Sequence, residues 1–215
     1  LIVVPVGHNA PLGAAMLCGI HGAKVVLQDS TRMEDIAAAI EREKVTEVFL
    51  VPTQIIDLLN FPDLKKYNLS SLKAIFTGGS RCPPEVVRGA MERLGWQIVN
   101  AFGTGEGVHM TTRLGDPVEV VANTVGKPCC DIDEIKIVND HGNEVPRETE
   151  GEITARGPHI FRGYYKNPEE NAMAFDKEGF FYTGDLGMLR KDGNIAITGR
   201  KKDMLLRGGE NISAV

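Results

Sequence analysis

Apolar and polar positions along this chain fall into two textures. In the earlier part, short β-branched apolar runs alternate with stretches of helical spacing, which predicts a parallel α/β layer. Residues 1–6 predict a strand, and residues 11–22 a helix that opens on Pro11 and closes on Gly22. Residues 25–28 predict the next strand. Thr31-Arg32-Met33-Glu34 matches a capping box, in which Thr31 accepts from an unpaired amide and Glu34 reaches back, so a helix is expected to run to Glu43. Further strands are expected at 48–51, 74–77 and 98–101, with helices at 55–59 and at 85–94, the latter opened by Pro83-Pro84.

After Gly107 the runs become short and alternating, divided by turn residues. Residues 134–138 and 151–155 predict strands on either side of a turn at 139–143. Lys191-Asp192-Gly193-Asn194 predicts a hairpin turn before a strand at 195–198. The expected fold class is therefore α/β: a parallel α/β layer over residues 1–107, then a small antiparallel β-barrel-like domain over residues 108–201. Residues 202–215 are expected to begin a further domain. No internal repeat or low-complexity stretch interrupts this plan.

Bulk composition narrows the function classes. A chain of 215 residues, 42% hydrophobic, can bury a sizeable core. With 24 basic against 29 acidic residues, a net charge of −5, and no basic run longer than Arg200-Lys201-Lys202, nothing favours nucleic acid as a partner. No apolar run approaches the roughly 20 residues of a membrane span, so no membrane partner is expected. Cys18, Cys82, Cys129 and Cys130 form no C-x-x-C pair and no spacing typical of zinc, and are expected to be idle thiols of a cytoplasmic protein. The chain opens in the apolar run Leu1-Ile2-Val3-Val4 and stops at Val215 with no polar tail, and both ends are read as cuts through a longer protein.

Candidate chemistry sits at the expected strand ends, where ligands bind in open α/β sheets. His8-Asn9 follows the first strand, and Gly78-Gly79-Ser80 follows the strand at 74–77. Phe102-Gly103-Thr104-Gly105-Glu106-Gly107 follows the strand at 98–101. Its glycines permit close approach of a ligand, Phe102 offers a flat face, and Glu106 offers a hard oxygen for Mg²⁺. Taken singly, such a turn is equally plain loop geometry. Tyr182-Thr183-Gly184-Asp185 places a carboxylate able to accept from two sugar hydroxyls, or simply from turn amides. In Gly199-Arg200-Lys201-Lys202-Asp203, Arg200 could bind phosphate or ribose oxygens, or belong to a solvated charge cluster. A dinucleotide-dependent oxidoreductase is excluded, because no G-x-G-x-x-G follows the first strand.

In their order, these pieces, with Phe161-Arg162-Gly163-Tyr164-Tyr165 between them and a Gly-Gly-Glu after them, resemble the adenylate-forming superfamily over essentially the whole chain. That group includes acyl-CoA synthetases, luciferases and the adenylation domains of peptide synthetases. His8-Asn9, Phe102 to Gly107, Thr112-Arg113-Leu114 and the segment from Arg156 are most similar to aryl-acid AMP ligases, which activate 2,3-dihydroxybenzoate or salicylate for siderophores.

The resemblance implies the central part of that family's large domain, using ATP, AMP and Mg²⁺ on a small carboxylic acid, with CoA or a phosphopantetheine carrier protein as acceptor. It implies that His8, Asn9 and Gly79 face the acid, with Asn9 at the ring substituent. Gly79, Ser80, Ala101, Phe102 and Gly103 would line adenine, Glu106 would hold Mg²⁺, Asp185 the ribose hydroxyls and Arg200 the ribose and phosphate side. Asp203 matches the hinge. The family's phosphate loop and catalytic Lys are not within residues 1–215, so no catalytic residue is assigned and this piece alone is expected to adenylate little or not at all. Ala10-Pro11-Leu12 replaces the usual aromatic and Ser-rich turn, which leaves open another aromatic, alicyclic or fatty acid delivered to CoA. A non-catalytic nucleotide-binding piece is the alternative from another class.

Overall fold

The computed structural model describes residues 1–7, 9–201, 204–207 and 210–213. The fold is α/β, and the chain divides into two units: residues Leu1–Gly103 with Thr112–Asn123, and residues Thr104–Thr111 with Thr124–Val215.

In the first unit, strands β1 (Glu47–Phe49), β2 (Ala74–Thr77) and β3 (Gln97–Gly103) pair in parallel, with Phe49 opposite Phe76 and Thr77 opposite Asn100. Helices α1 (Asn9–Ile20), α2 (Met33–Glu43), α3 (Pro52–Leu59), α4 (Pro84–Arg88) and α5 (Val118–Asn123) accompany them. α2 buries Ile36, Ala37, Ala39 and Ile40, the single stripe that a 3.6-residue period dictates. That stripe joins Val48, Leu50, Ile55, Leu58, Ile75, Val87 and Ile98 in one core. Each fully buried Ile or Leu there contributes about 1.5–3 kcal/mol by leaving water. A bidentate contact, Arg88 Nε and Nη2 donating to Glu119 at 2.7 and 2.8 Å, ties α4 to α5.

Several expectations for this unit need correction. Residues 1–6 and 25–28 do not form strands: Ile2 makes single parallel bridges to Leu27 and to Phe49. Pro5 has no N–H to extend a ladder, and a turn follows it. The capping box at Thr31 does not form. The residue before α2 is Arg32, without a side-chain cap, and it is the Ser30 hydroxyl that accepts from the Arg32 N–H. β1 ends at Phe49 rather than Val51, because Gln54 folds back to accept from Val51 N–H at 3.0 Å and starts α3 at Pro52. The helix expected at 85–94 is α4 followed by a wider π turn, Gly89–Arg93, beginning at a weak helix former.

The second unit carries a four-stranded antiparallel meander, β6 (Glu134–Val138), β7 (Gly151–Arg156), β8 (Phe181–Leu189) and β9 (Ile195–Arg200). β4 (His109–Thr111) pairs antiparallel with β5 (Lys127–Pro128), and β10 (Met204–Arg207) with β11 (Glu210–Ser213). Phe180 is fully buried beneath Lys136 and Arg156, whose charged heads lie 4.0 and 4.5 Å from its ring centre. Phe161, Phe175 and Phe181 form a second aromatic group, with centroids 5.1–5.5 Å apart, beside α6 (Pro168–Ala174). No described helix is long and apolar enough to cross a membrane.

Candidate functional site

In the first unit the geometry follows from β2 and β3 being parallel neighbours. Both strands end at the same edge of the sheet, so Gly78-Gly79-Ser80 and Ala101-Phe102-Gly103 emerge there together. The two segments touch: a Cβ on Gly78 would lie 2.7 Å from the Ala101 carbonyl oxygen, so only glycine fits without a shift of backbone. Gly79 and Ser80 are exposed, and Ala101 and Phe102 half-buried. The end of β3 is anchored from the side. Asn100 N–H donates to Thr112 Oγ1 at 2.9 Å, and Thr112 N–H returns a bond to Asn100 O at 3.0 Å. Asn9 opens α1. His8 and Asp203 lie outside the described residues.

In the second unit, Glu106 sits on a tight turn closed by Gly107 N–H donating to Thr104 O at 3.2 Å and Thr104 N–H to Val108 O at 3.0 Å. Gly107 has φ +106, and a Cβ there would fall 1.9 Å from the His159 carbonyl oxygen, so the turn rests directly on the backbone after β7. Phe161 N–H donates to Glu106 O at 2.8 Å and fixes the same contact.

The Glu106 carboxylate is oriented by Tyr164, whose hydroxyl donates to Oε1 at 3.0 Å. Burial, and then the adjacent carboxylate, raise the Tyr164 pKa above its ordinary value, so the phenol stays a donor. Tyr164 is itself clamped by Asn171, which accepts from its N–H at 2.6 Å and donates to its carbonyl at 3.0 Å. Such a held carboxylate suits Mg²⁺, which is typically bound through one or two carboxylates together with nucleotide phosphates.

Asp185 lies opposite Arg200 in the β8–β9 register, and Arg200 Nε donates to its Oδ1 at 2.8 Å. The pair is lopsided: the Asp185 side chain is 5% exposed, the Arg200 side chain 63%. Asp185 Oδ2 is buried, and among the described residues nothing donates to it. A buried acceptor left this way costs free energy unless a donor reaches it.

The irregular stretch of β8 before Asp185 is held by Glu152 of β7, a residue that sequence reasoning did not single out. Glu152 Oε1 accepts from Gly184 N–H at 3.0 Å, and Oε2 accepts from Lys201 Nζ at 2.8 Å. Thr183 adds a hydroxyl that donates to Ile153 O at 2.8 Å and accepts from Asp185 N–H at 3.0 Å. Lys201 has its pKa raised, first by the bond to Glu152, so it remains the cation that neutralises this buried acid.

The structure thus brings Gly79, Ser80, Ala101, Phe102 and Gly103 to one strand edge of the first unit. It pairs Asp185 with Arg200 in the second, and holds Glu106 through Tyr164. Tyr164 stood in a quoted aromatic run without a role. Glu152 carried one available signal, a lone charge within the otherwise buried run of β7.

The parallel sheet of the first unit, with glycine-rich loops at its carboxyl edge, belongs to the α/β class. The chain belongs to the AMP-binding enzyme family, which matches residues 1–165. It is 38% identical over 216 residues to the 2,3-dihydroxybenzoate-AMP ligase of Bacillus subtilis (strain 168), covering 100% of this chain and 40% of that protein. It is 39% identical over 217 residues to the 2-hydroxy-7-methoxy-5-methyl-1-naphthoate--CoA ligase of Streptomyces carzinostaticus, covering 100% of this chain and 39% of that protein. Among solved structures it resembles the O-succinylbenzoate coenzyme A synthetase of Bacillus subtilis in complex with ATP and magnesium ion. The TM-score is 0.85 at 28% identity, covering 99% of this chain and 44% of that one. The chain therefore spans about two fifths of the length of the relatives it matches.

Proposed function

We propose that the whole protein activates a small aromatic carboxylic acid with ATP and Mg²⁺, forming an aryl-AMP and then passing the acyl group to a thiol. The observation that carries this reading is Asp185: a buried carboxylate, one oxygen on Arg200 and the other without a donor among the described residues. Two adjacent ribose hydroxyls match it, since a carboxylate is acceptor-only and can take both. Arg200, largely exposed, can turn from Asp185 toward the ribose and phosphate side. Gly79, Ser80, Ala101, Phe102 and Gly103 receive adenine, with Phe102 as the flat face, while His8, Asn9 and Gly79 face the acid.

In the first step a carboxylate oxygen of the acid attacks the α-phosphorus, and the bond to the pyrophosphate leaving group breaks. Charge accumulates on oxygens that are already negative, so positioned cations and a fixed nucleoside are what accelerate it. Mg²⁺ held by Glu106 would neutralise part of that charge. Tyr164 keeps the Glu106 carboxylate in one orientation for that role.

An aromatic acid is favoured because the names of the three relatives described above carry a dihydroxybenzoate, a naphthoate and a succinylbenzoate. A siderophore-type 2,3-dihydroxybenzoate or salicylate acid delivered to a phosphopantetheine carrier follows the first of these. Delivery of the acyl group to CoA is the second reading, favoured by the two CoA-dependent names. A cytoplasmic location accords with both. Calorimetric titration with non-hydrolysable acyl-AMP analogues of benzoic, naphthoic and straight-chain acids tests the proposal. Tight binding confined to the aromatic analogues, and weakened by Asn9→Leu, is expected; equal binding of all analogues would remove the aromatic assignment.

A further inference from the structure

One group of metal-ligating side chains lies apart from the residues assigned above. After β5, Asp133 N–H donates to Cys130 O at 3.1 Å and closes a turn that sets the Cys130 thiol near the Asp133 carboxylate. After β7, a second turn, Ile160 N–H to Gly157 O at 3.2 Å, brings His159 alongside, its Nδ1 3.1 Å from Asp133 Oδ2. One ligand atom from each of Cys130, Asp133 and His159 lies within 4.8 Å of the others.

Asp133 is the anomalous member. Its side chain is 6% exposed, yet Oδ1 is buried and, among the described residues, receives no hydrogen bond. A histidine contact on Oδ2 accounts for one oxygen and leaves Oδ1 and the thiol unexplained. The close approach is also sterically specific: a Cβ on Gly157 would lie 2.0 Å from Asp133 Oδ1, so only glycine at 157 lets the carboxylate sit there. The His159 side chain is 56% exposed, which leaves the group open to solvent on that side.

We propose that Cys130, Asp133 and His159 form a binding site for a thiophilic divalent cation of the zinc class, with a fourth position open to water. Sulfur, imidazole nitrogen and carboxylate oxygen together are the donor set of zinc and cobalt. Magnesium and calcium take oxygen alone. Bonds of about 2.0–2.3 Å around a tetrahedral ion place ligand atoms about 3.3–3.8 Å apart, so small rotations of side chains on two turns complete the site. The linear spacing that marks zinc motifs is absent because the ligands come from turns far apart in sequence. Occupancy would also brace the segment that carries Phe161, whose N–H holds the turn bearing Glu106.

The test is titration of the purified, reduced, metal-free protein with Co²⁺, followed by absorption, with Zn²⁺ added as competitor. The expected result is one equivalent of Co²⁺ giving a thiolate-to-cobalt charge-transfer band in the near ultraviolet, abolished by Zn²⁺. Cys130→Ser should eliminate the band, His159→Gln should weaken binding at least about tenfold, and Cys129→Ser should leave both unchanged. Saturating Zn²⁺ should raise the melting temperature of the parent and not that of Cys130→Ser. Absence of the band in the parent, its persistence in Cys130→Ser, or its loss in Cys129→Ser alone would overturn the proposal.

Discussion

In the first unit, Gly79, Ser80, Ala101 and Phe102 reach one edge because an apolar core holds two parallel strands in register, and what they present is mainly shape and backbone. In the second unit, Glu106 and Asp185 are charged, and each is held by other polar side chains: Tyr164 and its Asn171 clamp for one, Glu152, Thr183 and Arg200 for the other. The difference accords with the roles proposed for these residues. A flat base asks for a close, featureless approach, which small residues on a rigid sheet provide. Sugar hydroxyls and a metal ask for oxygen acceptors held in place; Glu106 is held by Tyr164, while Asp185 keeps one buried oxygen without a donor among the described residues.

At these residues substitutions should therefore act in opposite ways, steric at the loops of the first unit and electrostatic at the carboxylates of the second. At the loops of the first unit, the largest effect on stability is expected from Gly78→Ala, whose Cβ would meet the Ala101 backbone at 2.7 Å. A loss of about 2–3 kcal/mol is expected, read as a fall of about 4–12 °C in a thermal melt. An unchanged melt would mean that the two loops do not depend on this contact.

Glu152→Gln keeps the shape and the acceptor for Gly184 while removing the charge that pairs Lys201. It should cost about 1–2 kcal/mol in denaturant unfolding, and weaken nucleotide binding through the stretch of β8 before Asp185. A purely steric second unit would not register the change.

A separate effect concerns pH in the first unit, where the buried Cys82 thiol is pushed up to about 11 from 9.0, chiefly by burial. Because the folded state holds this proton more tightly than the unfolded chain, the contribution is fully present below about pH 9 and is lost as pH rises toward 11. Urea midpoints measured from pH 8 to 11 should decline less steeply in Cys82→Ala than in the parent. Equal slopes would place the alkaline loss elsewhere.

What could be read from sequence was whatever depends on neighbours along the chain. β2 was placed at its observed bounds because Ala74, Ile75 and Thr77 are buried, so the strand reads as one continuous apolar run. The glycine loops after β2 and β3 were found because strand ends and glycines are local features. Residues 1–6 misled because their apolar pattern is strong while Pro5 withholds a donor. The capping box expected at Thr31 is absent: α2 begins after Arg32 with no side-chain cap, and Ser30 accepts from the Arg32 N–H instead.

The partners of the charged residues were out of reach for a different reason. Tyr164 is 58 residues from Glu106, and Glu152 is 32 residues from Gly184, and no local periodicity encodes such pairings. Cys130 and His159 illustrate the same limit, as idle thiol and unremarked imidazole until two turns bring them together.

Asp185 is proposed to accept the ribose hydroxyls of an acyl-adenylate, and a cycle combining protein and ligand changes measures that contact. Calorimetry would compare an aryl-AMP analogue with its 2′-deoxy form on the parent and on Asp185→Ala. Either change alone should weaken binding by about 30- to 100-fold, and the second should add little once the first is made. Independent, fully additive losses would contradict it, because they would mean that Asp185 and the ribose hydroxyl do not meet.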